Sequence, residues 1–192
     1  MKSVKAKTDH RRLRELILYI ASRSEGDFAF GKVKINKLLF YIDFLAYLNT
    51  GNSITGEEYQ ALQQGPAPRG MKPTLDALEK QKEIAIKRDP DDPFAPHKIF
   101  ALTSPDLSLF SADDIDRVNR VIDQFRNQSG TAMSNLSHKF VGWAFAQPRE
   151  TIPYSMALIG SREPSLSERK FGQGLVSRAQ KYLADYAESS CM

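Results

Sequence analysis

Apolar residues recur at helical spacing over most of this chain and alternate only in one short middle stretch. Leu13, Leu16, Ile17 and Ile20 fall at i, i+3, i+4 and i+7, which predicts one buried stripe on a helix capped by Asp9 and ending near Arg23. A second helix is predicted over about Val33–Leu48, stopped by Asn49-Thr50-Gly51. It carries two apolar stripes: Ile35, Leu38, Leu39, Ile42, Leu45 and Ala46 on one side, and Phe40, Tyr41, Phe44, Tyr47 and Leu48 on another. A helix apolar nearly all round is central and buried. Pro73 fits the first turn of a third helix to about Gln81, with Leu75 and Leu78 inward.

The period then changes. Glu83–Lys87 and Lys98–Leu102 read as two strands of a hairpin, joined by a wide loop carrying Asp89, Asp91, Asp92 and three prolines. Ser53–Leu62 can hold a short extended piece, and Gln64-Gly65-Pro66-Ala67-Pro68 reads as a turn or loop. Ser111, followed by Asp113 and Asp114, starts a fourth helix with Ile115, Val118, Ile122 and Phe125 buried. Thr131 is expected to cap a short fifth helix through Leu136. Residues 141–164 read as irregular, and a last helix, about Gln173–Ala187, follows a Ser165/Glu168 capping-box pattern.

The fold class expected is therefore mainly α (α+β), a compact helical domain with one small antiparallel hairpin in a winged-helix-like order. The boundaries are a basic tail at 1–8, the domain at 9–164 and a helical extension at 165–192.

Composition narrows the function. A chain of 192 residues with 41% hydrophobic content suffices for one core. The single cysteine, Cys191, cannot make an internal disulfide, and no apolar run approaches the ~20 residues of a membrane helix. With no signal-peptide pattern at the N-terminus, the expectation is a cytoplasmic protein without membrane contact.

Chemistry is sparse. His10, His97 and His138 have no metal-ligand spacing, so neither metal nor cofactor is expected. Ser137 and His138 are adjacent and point apart on a helix, there is no nucleophile elbow, and Gly172-Gln173-Gly174 lacks a third glycine. No enzymatic site emerges. Nucleic-acid binding ranks higher, through the arm Lys2, Lys5, Lys7, Arg11, Arg12, Arg14 and the helix cations Arg69, Lys72, Lys80 and Lys82. Asp76, Glu79 and Glu83, carried by the same candidate recognition helix, and three aspartates at the hairpin tip, place it below protein binding. The net charge of +4 is mild for a nucleic-acid protein. The positive signal is aromatic: 10% of residues, concentrated in 28–47 and 140–154, and aromatics dominate binding hot spots. Most of these rings are expected to fill the core, with the second stripe of the Val33–Leu48 helix the best candidate for a face shared between core and partner.

Two ordered blocks resemble one family. The first is Lys34-Ile35-Asn36-Lys37-Leu38-Leu39-Phe40-Tyr41, then Thr55 to Ala61, then Gly65-Pro66-Ala67-Pro68; the second is Leu136-Ser137-His138, Trp143 and Ile152-Pro153-Tyr154. Together they resemble the SocA-like (Panacea) antitoxin domain. The resemblance departs at Lys139-Phe140, where the family often has acidic residues. It implies an antitoxin that neutralises a cognate toxin by direct contact, in some members as an adaptor to an ATP-dependent protease. Phe40, Tyr41 and Phe44 are expected in or near the binding surface, shaped by Tyr59, Gly65 and Pro66. Lys37, Leu38, Ser137, His138, Trp143 and Pro153 are expected as structural motif residues, with Ser137, His138 and Trp143 forming a buried polar–aromatic junction. The competing function is a winged-helix transcriptional regulator.

Overall fold

A computed structural model describes residues 10–88, 91, 96–159, 170 and 173. The chain divides into two units, Met1–Ile159 and Gly160–Met192. The tail at 1–8, the Asp9 cap, the Ser165/Glu168 pattern, the glycines 172 and 174 and most of the predicted last helix lie outside the described residues, as do Asp89 and Asp92 of the hairpin loop.

Two helices open the first unit, α1 (His10–Arg23) and α2 (Lys32–Thr50). Gly51 closes α2 in the left-handed conformation, φ 74°, with its N–H on the Tyr47 carbonyl. The hairpin β1 (Tyr59–Leu62) and β2 (Gly65–Pro68) precedes α3 (Met71–Lys80), and β3 (Ile84–Lys87) pairs antiparallel with β4 (Lys98–Ala101). Then come α4 (Ala112–Gln124), α5 (Gly130–Ser137), α6 (Val141–Ala144) and β5 (Thr151–Ile152), followed by a 3-10 segment at Tyr154–Leu158. Ser111 and Asp114 form a reciprocal capping box on α4.

Four sequence expectations are corrected. Gly65–Pro68 is a strand, not a loop: it is buried throughout and lies at the edge of a three-stranded sheet ordered β2-β1-β5, the position where prolines are tolerated. There are therefore two sheets rather than one hairpin, and β1–β2 intervenes between the second and third helices. The cap of α5 is Ser129, whose hydroxyl accepts from the Ala132 N–H, in place of Thr131. The stretch after residue 141 is ordered as α6, β5 and the 3-10 segment.

The two stripes of α2 serve two cores. Ile35, Leu38, Leu39, Ile42 and Ala46 join the main cluster with Leu13, Leu16 and Ile17 of α1, Leu75 and Leu78 of α3, and Val118 and Ile122 of α4. Phe40 and Phe44 face a second, aromatic cluster with Tyr59, Ala61 and Ile152, flanked by Phe140, Trp143 and Tyr154. Ring contacts at 4.6–5.3 Å link Phe40, Phe44, Phe140, Tyr59 and Tyr154 edge-on or tilted, the favoured aromatic geometry. Leu45 and Leu48, assigned to the stripes from sequence, are exposed, while Lys34, Lys37 and Asp43 are buried. Among the described residues no helix is long and apolar enough to cross a membrane.

Candidate functional site

The aromatic core is held by one carboxylate. Asp43, fully buried at the middle of α2, accepts at Oδ1 from the backbone N–H of Ile54 (2.9 Å) and Thr55 (2.8 Å). Its Oδ2 accepts from the Tyr59 hydroxyl (2.9 Å) and from the Thr55 hydroxyl, with the Tyr154 hydroxyl at 3.4 Å. Tyr154 donates more closely to the Glu57 carbonyl, at 2.7 Å. Burial pushes the Asp43 carboxyl above its usual range, and the bonds from Thr55, Tyr59 and Ile54 pull it partly back. Burial, and then the Asp43 charge, push the Tyr59 and Tyr154 phenols up. The carboxylate thus fastens the 53–57 loop, β1 and the Tyr154 segment to one helix.

A second polar junction lies below the β1–β2 turn. Lys37 is buried and donates to the Pro66 carbonyl at 2.8 Å; burial pushes its ammonium down to about 8. The Ser134 hydroxyl donates to the Gln64 carbonyl and the Ser137 hydroxyl to the Ser134 carbonyl, at 2.5 and 2.7 Å. Gly65 sits between them at φ 94°, where a Cβ would lie 2.2 Å from Ser137 Oγ and 3.1 Å from Lys37 Nζ. Gly65→Ala is expected to destabilise the domain by about 2 kcal/mol, from left-handed strain plus displacement of Ser137. Chemical denaturation of Gly65→Ala alone and with Ser137→Ala checks it: the double variant should recover only the steric part.

Next to this junction His138 stacks on Trp143, ring centroids 3.9 Å apart and 13° from parallel. The indole Nε1 donates to the Leu62 carbonyl at 2.9 Å, which ties α6 to β1. Ser137 meets Gly65 and His138 meets Trp143, but no hydrogen bond joins Ser137 to His138: the hydroxyl donates to the Ser134 carbonyl and the imidazole packs on the indole. Among the described residues no group of three His, Cys, Asp or Glu side chains could hold a metal ion.

The residues assigned to the binding surface are interior. Phe40, Phe44 and Tyr59 are at most 4% exposed, and Gly65 and Pro66 are buried. The reason is that β1, β5 and residues 140–158 close over the second stripe of α2. Tyr41 is half-buried and stacks on Phe125 at 4.7 Å, its hydroxyl enclosed without a partner. Leu38 is in the main core, and Pro153 is exposed at the start of the 3-10 segment.

The surface above this core carries other residues. Ala61, Leu62, Gln63, Trp143, Ala144 and Pro148 line a groove of about 350 Å³. Leu62 is 36% exposed, and Phe145, from the same segment as the lining, is 79% exposed. Phe145 lies in the aromatic stretch 140–154 that composition points to; Leu62 carries no sequence signal of its own. The groove between α2 and α4 differs in having its two arginines paired, Arg120 with Asp116 at 2.7 Å and Arg117 with Asp114 at 3.9 Å. The cations considered for DNA are largely engaged as well. Arg11 pairs with Asp106, Arg12 donates to the Ile54 and Leu109 carbonyls, Arg14 pairs with Glu15 and Glu83, and Lys72 pairs with Asp76.

The fold and site define a mainly α domain whose buried polar groups fasten loops and strands to a central helix. The family described as antitoxin SocA-like, Panacea domain, matches residues 35–144, more than half of the chain, and the protein belongs to it. The match runs from α2 to the end of α6 and contains Asp43, the β1–β2 hairpin and the His138–Trp143 stack; Ile152-Pro153-Tyr154 lies beyond it. No curated protein and no solved structure matches the chain.

Proposed function

We propose that this protein is the antitoxin of a toxin–antitoxin pair and neutralises a cognate toxin in the cytoplasm by direct protein–protein contact, without a catalytic step of its own. Family membership is the observation that carries this reading. The exposed Phe145 and Leu62 beside a half-buried tryptophan support it, because aromatic anchors concentrate binding energy.

The test is expression of the neighbouring reading frame alone and together with this protein, followed by counting of growth and co-purification of the two products. Toxicity relieved with a stable complex is the expected result. Rescue without a complex, with the neighbour lost only in cells holding an ATP-dependent protease, would replace sequestration by the adaptor route. Absence of toxicity and of a complex, with salt-sensitive binding to upstream DNA, would overturn the proposal in favour of a regulator.

A further inference from the structure

The groove beside Trp143 is held by hydrogen bonds on both sides. The indole is tied to the Leu62 carbonyl, and its ring is backed by His138. Opposite, the Arg149 N–H donates to the Ala61 carbonyl at 2.7 Å and the Ala61 N–H to the Glu150 carbonyl at 3.0 Å. The backbone groups of Ala61 and the carbonyl of Leu62 are therefore already bonded. A partner cannot add a strand here and must bind through its side chains.

Charge then selects the partner. The Glu150 carboxylate, two residues past the lining Pro148, accepts from the Gln147 N–H at 2.7 Å, and the Glu58 carboxylate lies 3.8 Å from Arg69. Arg69 itself donates to the Arg149 carbonyl and the Thr151 hydroxyl. Two exposed cations remain. Lys139 follows His138, and Arg149 is anchored by its own N–H against Ala61; neither side chain has an acceptor among the described residues. An apolar groove of about 350 Å³ has room for one or two anchoring side chains, well short of a large ligand.

Resting on the antitoxin reading, we infer that this groove is the docking site for a short acidic segment of the toxin, in which one or two apolar side chains enter beside Trp143 and Phe145 and flanking carboxylates meet Lys139 and Arg149. The exposed apolar atoms supply the affinity, and the two cations set register and exclude basic segments.

Trp143 is the chain's single tryptophan, so its emission reports this groove and nothing else. The full-length protein is titrated with a synthetic peptide holding Leu-Phe between paired Glu residues, with the same peptide carrying Gln for Glu, and with one carrying Lys. Saturable movement of the emission by the acidic peptide is expected, at least about tenfold tighter than by the Gln peptide and weakened as salt rises from about 50 to about 500 mM. Lys139→Glu with Arg149→Glu should transfer the preference to the Lys peptide. Phe145→Ser, at a residue whose exposure spares the fold, should weaken binding of every peptide.

Equal response to acidic and neutral peptides would overturn the inference. So would an equal response to a single-stranded thymidine oligonucleotide, which would make the face a nucleic-acid platform. No response to any peptide would also overturn it, with the groove covered by a second copy or by another part of the chain; light scattering of wild type against Phe145→Ser separates those two. The antitoxin reading fails separately: if wild type rescues growth and the doubly reversed variant rescues equally well, the reading stands and the groove assignment falls.

Discussion

Asp43→Ala should lower the stability of the domain by about 4 kcal/mol and its melting midpoint by roughly 8–16 °C. The figure follows from what the carboxylate leaves behind. The N–H groups of Ile54 and Thr55 and the hydroxyls of Thr55 and Tyr59 all donate to it in a site closed to water. Each buried donor left unsatisfied costs about 1–3 kcal/mol, reduced where local relaxation or an entering water recovers part of the loss. Asp43→Asn should be much milder, about 1 kcal/mol at neutral pH. Its carbonyl keeps both backbone donors, and the Thr55 and Tyr59 hydroxyls can rotate to accept from its amide.

The pH dependence carries the same signature. Burial raises the Asp43 carboxyl above its ordinary value of 3.8. Its contribution is thus complete below that value and is lost as pH rises through the folded-state titration. Wild type should lose stability relative to Asp43→Asn as pH rises from about 4. Denaturant midpoints with an unchanged slope measure both effects. An Asp43→Ala variant within about 1 kcal/mol of wild type would mean that the carboxylate does not organise the aromatic core.

The contrast between Asp43 and its neighbours shows where sequence reasoning reaches and where it stops. The bounds of α2 were legible because they are local: Gly51 terminates the helix through its own φ. The same holds for α4, whose capping box lies within four residues, and for the β3–β4 hairpin. The strand Gly65–Pro68 was hidden because two prolines argue against a strand, and only its edge position permits them. Buried Asp43 and Lys37 were hidden for a different reason. Their partners are residues 54–59 and 66, and periodicity carries no information on bonds at that separation. The two stripes of α2 were visible, but not their roles. From sequence the second stripe is a face shared between core and partner, and closure by β1, β5 and residues 140–158 places Phe40 and Phe44 in the core. The candidate groove was legible in one respect, the junction of His138 with Trp143. Its exposed anchor Phe145 and the cation Arg149 come from the turn at 144–149, whose place against β1 is set by two backbone bonds, whereas Lys139 follows α5.

Above pH 10 the domain should unfold cooperatively, and by about pH 12 little folded protein should remain. Burial pushes the Tyr41 phenol up to about 12, and burial with the Asp43 charge pushes Tyr59 and Tyr154 further. A phenol raised in the fold contributes fully below its unfolded value near 10 and is lost as pH climbs toward the folded value. Three such groups give a slope of up to about 4 kcal/mol per pH unit. Lys37 acts in the opposite sense. Its ammonium is lowered to about 8, so the unfolded chain holds the extra proton from there to 10.5 and stability rises over that interval. The profile should therefore climb gently from about pH 8, turn near 10 and then fall steeply. Lys37→Met should remove the climb, and Tyr154→Phe should remove about a third of the fall. Tyr41→Phe should reduce the fall without loss at neutral pH, because that hydroxyl has no partner to lose. Phenolate absorbance recorded with far-ultraviolet circular dichroism reads the outcome. The Tyr41, Tyr59 and Tyr154 phenols should ionise in one step with the loss of helix. A single smooth titration of all seven tyrosines near pH 10 with helix retained would show that the aromatic core admits water freely, and would remove the physical basis for treating Asp43 as its clamp.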